Sequence, residues 1–435
     1  MLDILVQIGL DPKTFFTIFI LCVLITVFAF KRFFTSFMDP ILIFVITLCA
    51  NEILLFGLDW GLQPKVEGGI FFVCLWCGFA LFGKLPQTHT HPSFDKKDLF
   101  ELDVILVLLC GVIVLANLYL GATAGFPLLS SNPSAAKIES FQGGLGFVRH
   151  LNFYPFYYLV CGCFLLLFLG HRRRLMVSLL CITSAFIALS GSKSALLFLV
   201  LALAMLTAHK GVRGSLSQVR TFRRYALLIF LISFCVAILV LVIDQGSLGM
   251  GVVQFARRLL FYGDVVLYYY PRRGQIPELW NAGLVQYLDY LLNSTLGMLR
   301  LVPYKAPLGT VLTGSLDDGF GPNPLFFVQA DIFFGSIAGC FYCFAIGATI
   351  AFLRRMFFVC KVKNVVVFAF MLLIATSAFD LAVDAALFVG STLDVLLILA
   401  LLWPTAIVLR VAILGVRKVN PSPASFPAPV LALPD

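Results

Sequence analysis

The sequence has 435 residues, of which 61% are hydrophobic and only 12% are charged, and its formal net charge is +9. Soluble domains carry about 25% charged residues, so this composition excludes an ordinary soluble protein and indicates a chain that lies largely in a lipid bilayer. At about 20 residues for each membrane-spanning helix, the length allows about eleven or twelve helices with their loops. The basic residues concentrate in alternate loops, so the positive charge is explained by membrane topology. No nucleic acid partner is therefore expected.

Apolar segments along the chain predict an all-α polytopic membrane protein with about 11 (10–12) transmembrane helices. The predicted segments lie near 14–30, 40–57, 69–83, 103–121, 151–169, 175–189, 195–208, 225–243, 335–353, 365–380 and 394–413. A broken helix is expected in the stretch from Asp380 to Asp394. Residues 1–420 are predicted to form one integral membrane domain, and 421–435 a disordered, Pro-rich cytoplasmic tail.

The Lys and Arg residues predict the orientation of these helices. Twenty of them fall in alternate loops and at the C-terminal end, whereas the short loops on the other side hold five. By the positive-inside rule the first group is cytoplasmic, so the N-terminus is expected outside and the C-terminus inside. The remaining six lie in one external segment, 244–334, which is predicted to be a large, partly helical loop.

Two Arg pairs in this external loop are interleaved with tyrosines. The segment FARRLLFYGDVVLYYYPRRG holds Arg257, Arg258, Arg272 and Arg273, together with the run Tyr268, Tyr269 and Tyr270. Guanidinium groups match phosphate oxygens in bidentate geometry, and tyrosine rings stack on sugar faces, so the cluster is predicted to bind an anionic, sugar-containing ligand. The alternative is that these side chains anchor the loop at the membrane surface.

Acidic residues in the same loop are candidates for a general base. Asp264 lies between the Arg pairs, and Asp317 and Asp318 lie in the turn-rich segment GSLDDGFGPNP, where solvated or capping roles are common. Between them, leucines at helical spacing from Leu284 to Leu299 predict an amphipathic helix at the membrane interface. No Asp, Glu, His or Cys cluster has metal-ligand spacing, so neither a metal nor another cofactor is expected.

Lys193 is the most informative single charge within the apolar part of the sequence. It lies in LSGSKSALLFLV, on a predicted external turn between two spans. A charge near the bilayer centre is costly and therefore functional by default, whereas a lysine at the surface can simply extend its amine into the headgroups. The small neighbours Ser190, Gly191 and Ser192 would let an anionic headgroup approach Lys193 closely.

Three features together resemble the Wzy-type repeat-unit polymerases of bacterial surface polysaccharides, relatives of the O-antigen ligases. These are the small-residue turn and basic residue of LSGSKSALLFLV, the large external loop before the late spans, and the aromatic segment PNPLFFVQADIFFGSIAGCFYCFAIG. The resemblance covers most of the chain and implies a GT-C-like fold in a bacterial inner membrane, with the N-terminus periplasmic. The absence of a His between residues 210 and 435 favours polymerase over ligase.

The resemblance implies a metal-independent transfer of a growing sugar chain from a polyprenyl-diphosphate carrier to a hydroxyl of a newly arrived lipid-linked unit. In that reaction Arg272 and Arg273, with Asp264, Asp317 or Asp318, would be catalytic. Lys193, Arg257, Arg258, Arg300 and the three tyrosines would bind the substrate, since basic groups stabilise the departing diphosphate. Whether a separate chain-length regulator binds stays open, although the resemblance favours one.

A carrier is the competing class. Glu52 and the carboxylates of Asp380, Asp384 and Asp394 lie in or beside predicted spans, as ion or proton sites do in secondary transporters. A flippase for lipid-linked oligosaccharides belongs to the same class. A third alternative, a membrane scaffold without chemistry, leaves the Arg pairs and Lys193 unexplained.

Overall fold

A computed structural model describes residues 12–34, 39–85, 94–131, 146–209, 246–251, 264–273, 283–303, 307–313 and 323–419, with isolated positions between these ranges. Their secondary structure is helical, without a β-strand, so the all-α prediction is confirmed for this part of the chain. The helices are α1 (Pro12–Phe30), α2 (Ile41–Gly57), α3 (Leu62–Phe82), α4 (Lys96–Ala124), α5 (Gly146–Asn152), α6 (Tyr154–Phe168), α7 (Arg173–Leu189), α8 (Lys193–Ala208), α9 (Val265–Arg272), α10 (Gly283–Met298), α11 (Leu308–Thr313), α12 (Phe326–Val359), α13 (Val365–Ser377), α14 (Asp380–Val383) and α15 (Ala385–Val419).

Most of the predicted spans coincide with these helices, and the segment near 225–243 lies largely outside the described residues. Among the described residues, six helical segments are long and apolar enough to cross a membrane: Lys13–Phe33, Leu62–Phe82, Lys96–Ala124, Gly146–Phe168, Phe326–Val359 and Ala385–Ile413. The protein is therefore a helical membrane protein. The count of eleven spans and the GT-C-like fold stay predictions.

The centre of the fold is α6, whose residues are almost all buried. It is surrounded by α4, α7, α8, α13 and α15. A second group, formed by α1, α2, α3 and α12, packs against this bundle through α12 and α13. Phe44 and Phe79 of that group stack 6.1 Å apart, and Phe379 lies 5.0 Å from Phe44. The abundant phenylalanine thus fills the core without polar atoms that would need partners.

Helices α3 and α12 approach each other through glycines. A Cβ atom added at Gly78 would lie 1.9 Å from the carbonyl oxygen of Phe344, and one added at Gly347 would lie 2.0 Å from that of Leu75. Lipid tails are as apolar as leucine, so helices in a bilayer associate largely by such close backbone packing. Any side chain at either glycine would push the two helices apart.

Two irregular positions shape the later helices. Gly335 (φ 67°, ψ −171°) kinks α12. This helix begins at Phe326, nine residues before the span predicted at 335–353. The break expected after Asp380 is confirmed: α13 ends at Ser377, and Asp384 is extended before α15 begins. The Asp384 carboxylate accepts a hydrogen bond from the Leu387 amide at 3.1 Å, which caps the new helix.

Ion pairs collect at the end of the bundle where the Lys- and Arg-rich loops lie. The fully buried Arg354 donates to Asp39 at 2.5 Å and to the carbonyls of Phe33 and Gly83. Two further carboxylates are bound at the same end: Glu101 accepts from Trp403 and Arg410, and Asp103 from His171 and Arg172. We call this set the basic-end layer.

A second polar layer lies at the other end of the same helices. On each of three helices, a residue of this second layer lies sixteen positions from a residue of the basic-end layer. The pairs are Glu67 and Gly83 along α3, Asp394 and Arg410 on α15, and Asn117 and Glu101 on α4. At 1.5 Å per residue each separation is about 24 Å, which is close to the thickness of a bilayer's hydrocarbon core, about 30 Å. We call this second set the loop-end layer, because the described parts of the segment 244–334, including α9 and α10, join the bundle there.

Substitution of Gly347 by Ala is expected to lower stability by about 1–3 kcal/mol, because the added Cβ meets the Leu75 backbone. The matched control is Gly111→Ala on α4, where the added atom meets nothing within 4 Å. There alanine should leave stability unchanged or raise it, since it favours a helix by about 1 kcal/mol over glycine. Thermal unfolding of the purified proteins in detergent measures both, and equal melting temperatures would contradict the close contact.

Candidate functional site

A buried ionic cluster at the loop end joins three elements that are distant in sequence. The Nη2 atom of Arg273 lies 2.9 Å from Oε2 of Glu67 and 2.9 Å from Oδ1 of Asp331. The three side chains are 19%, 16% and 6% exposed, respectively. The hydroxyl of Tyr269 donates to the second oxygen of Asp331 at 2.7 Å. One guanidinium thus holds α3, α12 and the end of α9 together, and we call these four residues the Arg273 cluster.

The local sequence explains why these side chains converge. Glu67 lies in the first turns of α3, where Gln63 and Ser336 donate to its Oε1 at 3.0 and 2.9 Å. Asp331 and Ser336 lie on opposite sides of the Gly335 kink, so both reach the cluster. A residue with a side chain would be strained in the backbone conformation of Gly335.

Charge in the Arg273 cluster is dominated by its carboxylates. Burial alone would lower the pKa of Arg273, but the neighbouring carboxylates of Asp331 and Glu67 raise it. Burial, with the negative Asp331 beside it, raises the pKa of Tyr269. Arg273 is therefore a permanent cation already bound by two carboxylates, and it could contact a diphosphate only by exchanging one of them for the phosphate.

A cleft of about 520 Å³ opens beside the Arg273 cluster. It is lined by Asp59, Trp60, Gly61, Leu62, Gln63, Pro64, Tyr270, Pro271 and Arg273. The rings of Trp60 and Tyr270 lie 5.5 Å apart, and the Trp60 indole N–H donates to the Leu54 carbonyl at 3.1 Å. The cleft thus combines aromatic faces with hydrogen-bonding groups, as sugar-binding surfaces do.

An apolar groove of about 480 Å³ adjoins this cleft and shares Leu62 with it. Its lining is Phe56, Leu62, Lys65, Val66, Gly69, Ile70 and Val73. Leu62, Val66 and Ile70 follow helical spacing on the exposed side of α3, so the groove runs along a face that would contact lipid. The groove and the cleft together can accommodate a molecule with an apolar chain and a polar head.

Tyrosines extend the loop-end layer from α12 to α10. The hydroxyls of Tyr287 and Tyr342 lie 3.0 Å apart, and Tyr342 donates to Oε1 of Gln329 at 3.0 Å. Farther along α10, Tyr290 donates to Asp384 at 3.1 Å. The predicted amphipathic helix is confirmed as α10, which buries these polar contacts and exposes leucines on its other face.

Carboxylates near the helix break have partners of their own. Tyr154 donates to Asp380 at 2.7 Å, and Asp394 Oδ2 lies 2.6 Å from the Nδ1 atom of His150. Thr295 of α10 lies 3.4 Å from the other oxygen of Asp394. All of these groups belong to the loop-end layer. Because of these contacts, the carboxylates of Asp380, Asp384 and Asp394, which were predicted as ion sites, are hydrogen-bonded.

The predicted site residues are only partly brought together. Tyr269, Tyr270 and Arg273 meet in the cluster and the cleft, whereas Tyr268 and Arg272 are exposed. Arg272 donates to the Leu312 carbonyl at 3.3 Å. The others lie elsewhere: Asp264 is beside the start of α9, Arg300 follows α10 in a left-handed conformation (φ 56°), and Lys193 begins α8 with a side chain that the structure does not describe.

Four predicted residues, Arg257, Arg258, Asp317 and Asp318, lie outside the described residues. Neither Glu67 nor Trp60 is predicted from the sequence, because Glu67 precedes the span predicted at 69–83 and Trp60 belongs to no motif. The available signal was a carboxylate two residues before an apolar segment, in the sequence KVEGGIFF. The partner of Glu67 could not be identified, because Arg273 is 206 positions away.

Among the described residues no group of three or more His, Cys, Asp or Glu side chains is placed to hold a metal ion, and the metal-independent reaction stays a prediction. Comparison of the chain with protein-family models, with curated proteins and with solved structures finds no match. The site must therefore be interpreted from its own geometry.

Replacement of Arg273 by Gln is expected to destabilise the protein by about 3 kcal/mol, because it leaves Glu67 and Asp331 as unpaired charges in a largely buried place. Adding Glu67→Gln to that variant should restore part of the loss, since one buried charge is then removed. Arg272→Gln is the matched control at the exposed neighbour and should change little. Thermal unfolding in detergent measures these three variants and Glu67→Gln alone, and additive losses from Arg273 and Glu67 would contradict the pairing.

Proposed function

We propose that the protein polymerises polyprenyl-diphosphate-linked oligosaccharide repeat units into a surface polysaccharide of the O-antigen type. The reaction would take place at the periplasmic face of a bacterial inner membrane. It needs one site that accepts an isoprenoid chain from the bilayer and sugars from the aqueous side. The observation that carries the proposal is the apolar groove along α3 that leads into the cleft walled by Trp60 and Tyr270.

The groove and the cleft divide the substrate by its chemistry. The apolar wall of Val66 and Ile70 suits the isoprenoid, while the aromatic rings of the cleft suit sugar faces. The diphosphate lies between these two parts of the substrate, so a cation is needed where they meet. Lys65 lines the groove near this junction. The other candidate cations are Lys193 and, in the segment 244–334, Arg257, Arg258, Arg272 and Arg300.

The chemical step is the transfer of the growing chain to a sugar hydroxyl of the incoming unit. The acceptor hydroxyl loses its proton and attacks the anomeric carbon, and the bond to the diphosphate oxygen breaks. Cations aimed at that oxygen stabilise the charge that develops there. In this proposal the enzyme needs no metal, its eleven spans form a GT-C-like fold, and a chain-length regulator is a further partner.

A carrier for lipid-linked oligosaccharides or for ions is the second candidate. The break between α13 and α15 places Asp380 and Asp384 at a discontinuous helix, a feature of many transporters. Both carboxylates are bound by tyrosine hydroxyls, which a substrate ion would have to displace. The polymerase is preferred because α9 and α10 pack on the loop-end layer and Tyr270 of α9 forms an aromatic cleft with Trp60.

Deletion of the gene is expected to leave surface polysaccharide of single capped repeats, because units still cross the membrane but are not joined. Gel electrophoresis of the surface glycolipid measures chain length. The control is the deletion strain carrying the wild-type gene, which should regain long chains. Loss of every repeat from the surface would instead support the flippase, and unchanged chain length would contradict both.

Substitution of Trp60 by Leu is expected to raise KM for the lipid-linked unit about tenfold, since an aromatic contact of about 0.5–1.5 kcal/mol and a wall of the cleft are lost together. The matched control is Trp403→Leu, because Trp403 bonds Glu101 in the basic-end layer. Polymer formation by the purified protein in lipid nanodiscs, supplied with lipid-linked repeats from the deletion strain, gives both constants. A KM unchanged by Trp60→Leu would exclude the cleft as the sugar site.

A further inference from the structure

His150 and Asp394 form a closely bound pair at the loop end. The Nδ1 atom of His150 lies 2.6 Å from Oδ2 of Asp394, and the two side chains are 17% and 4% exposed. They come from α5 and α15, 244 positions apart. Thr295 of α10 lies 3.4 Å from Oδ1 of Asp394 and donates to the Gly390 carbonyl at 3.1 Å. Three helices thus fix the buried carboxylate.

The chemistry of this contact assigns the proton on the ring. An ionised carboxylate only accepts hydrogen bonds, so Nδ1 of His150 must donate the proton to Asp394. In a neutral imidazole the other nitrogen, Nε2, then has a lone pair and accepts a proton. No described residue bonds Nε2 of His150. This is the arrangement in which a carboxylate orients a histidine as a general base.

The depth of the pair places it where sugars would arrive. Asp394 precedes Arg410 on α15 by sixteen positions, which puts it about 24 Å from the basic-end layer. Asn152, two residues after His150, exchanges hydrogen bonds with Asn117 of α4 at 2.7 and 3.0 Å. Both contacts locate α5 in the loop-end layer, on the side of the bilayer where the proposed polymerase would act.

Helix α10 connects this pair to the Arg273 cluster. Tyr287 contacts Phe333 and Tyr342 of α12, whose Asp331 belongs to the cluster, and Thr295 contacts Asp394. These two positions on α10 are eight residues, or about 12 Å, apart. Helix α10 thus contacts both the helix that carries Asp331 and the carboxylate that holds His150.

We propose that His150, oriented by Asp394, is the general base that accepts the proton of the acceptor sugar hydroxyl. The inference rests on the proposed function. The O–H proton moves to Nε2 as the oxygen forms its bond to the anomeric carbon, and the diphosphate leaves with the electron pair of the broken C–O bond. The imidazolium then passes its proton to water, which restores the base. Asp394 is a positioning residue, because it acts through His150.

Other titratable groups surround the pair. The helices packed against α5 carry, at this level, Tyr119, Tyr154 and Asp394, and Arg149 lies on α5 itself. Arg149 interacts electrostatically with Asp384, and Asp380 is bonded to Tyr154. Asp380 and Asp384 therefore have partners other than His150.

The test measures kcat and KM of polymer formation by the purified full-length protein in nanodiscs, with lipid-linked repeats from the deletion strain. His150→Gln should lower kcat at least about 100-fold with KM changed less than about threefold, as loss of a general base does. His171→Gln is the matched control, because His171 also pairs with an aspartate, at 2.8 Å, but in the basic-end layer. The activity of this variant should stay within about twofold of the wild type.

The split between kcat and KM separates a base from a structural histidine. In Asp394→Asn kcat should also fall, with KM changed less than about threefold, because the imidazole ring loses the contact that orients it. An active His150→Gln would overturn the base while the polymerase stands. An inactive wild-type protein would instead overturn the proposed function.

Discussion

The backbone contact between α3 and α12 at Gly78 and Gly347 sets the geometry of the whole molecule. It fixes the distance between two long helices, and every polar contact that bridges them depends on that distance. At one end it lets Arg354 reach the carbonyl of Gly83, and at the other it brings Ser336 within 2.9 Å of Glu67. Two glycines thus align a polar contact at each end of this helix pair, in a solvent where helices gain little from apolar contact alone.

The few charged residues of this chain are arranged in two layers with different properties. In the basic-end layer Asp39 is bonded to Arg354 in the core, with 1% and 0% of the side chains exposed, so the contact locks the fold. The loop-end layer is richer in tyrosine and carboxylate, borders a cleft, and includes His150, whose Nε2 is bonded by no described residue. Buried ion pairs thus stabilise one end of the bundle, whereas the other end offers polar groups beside a cleft.

Sequence patterns predicted the helices and the break at Asp384 because both are local properties, encoded in the periodicity and in interruptions of apolar runs. They did not predict the partners of Arg273, since these depend on how distant helices cross. The Arg pairs suggested an anion site, whereas the structure surrounds Arg273 with Glu67 and Asp331. Pairs such as His150 and Asp394 were visible only as separate residues, because α5 and α15 meet through tertiary packing.

The buried contact between Arg354 and Asp39 also has a consequence for biogenesis. Its partners are 315 positions apart, so Asp39 is synthesised long before Arg354. At a synthesis rate of about 5–20 residues per second, the carboxylate waits roughly 15–60 s for its cation. Glu67 waits similarly for Arg273. Until the late helices arrive and complete the bundle, these carboxylates must be satisfied by other polar groups, such as water at the ends of the early helices.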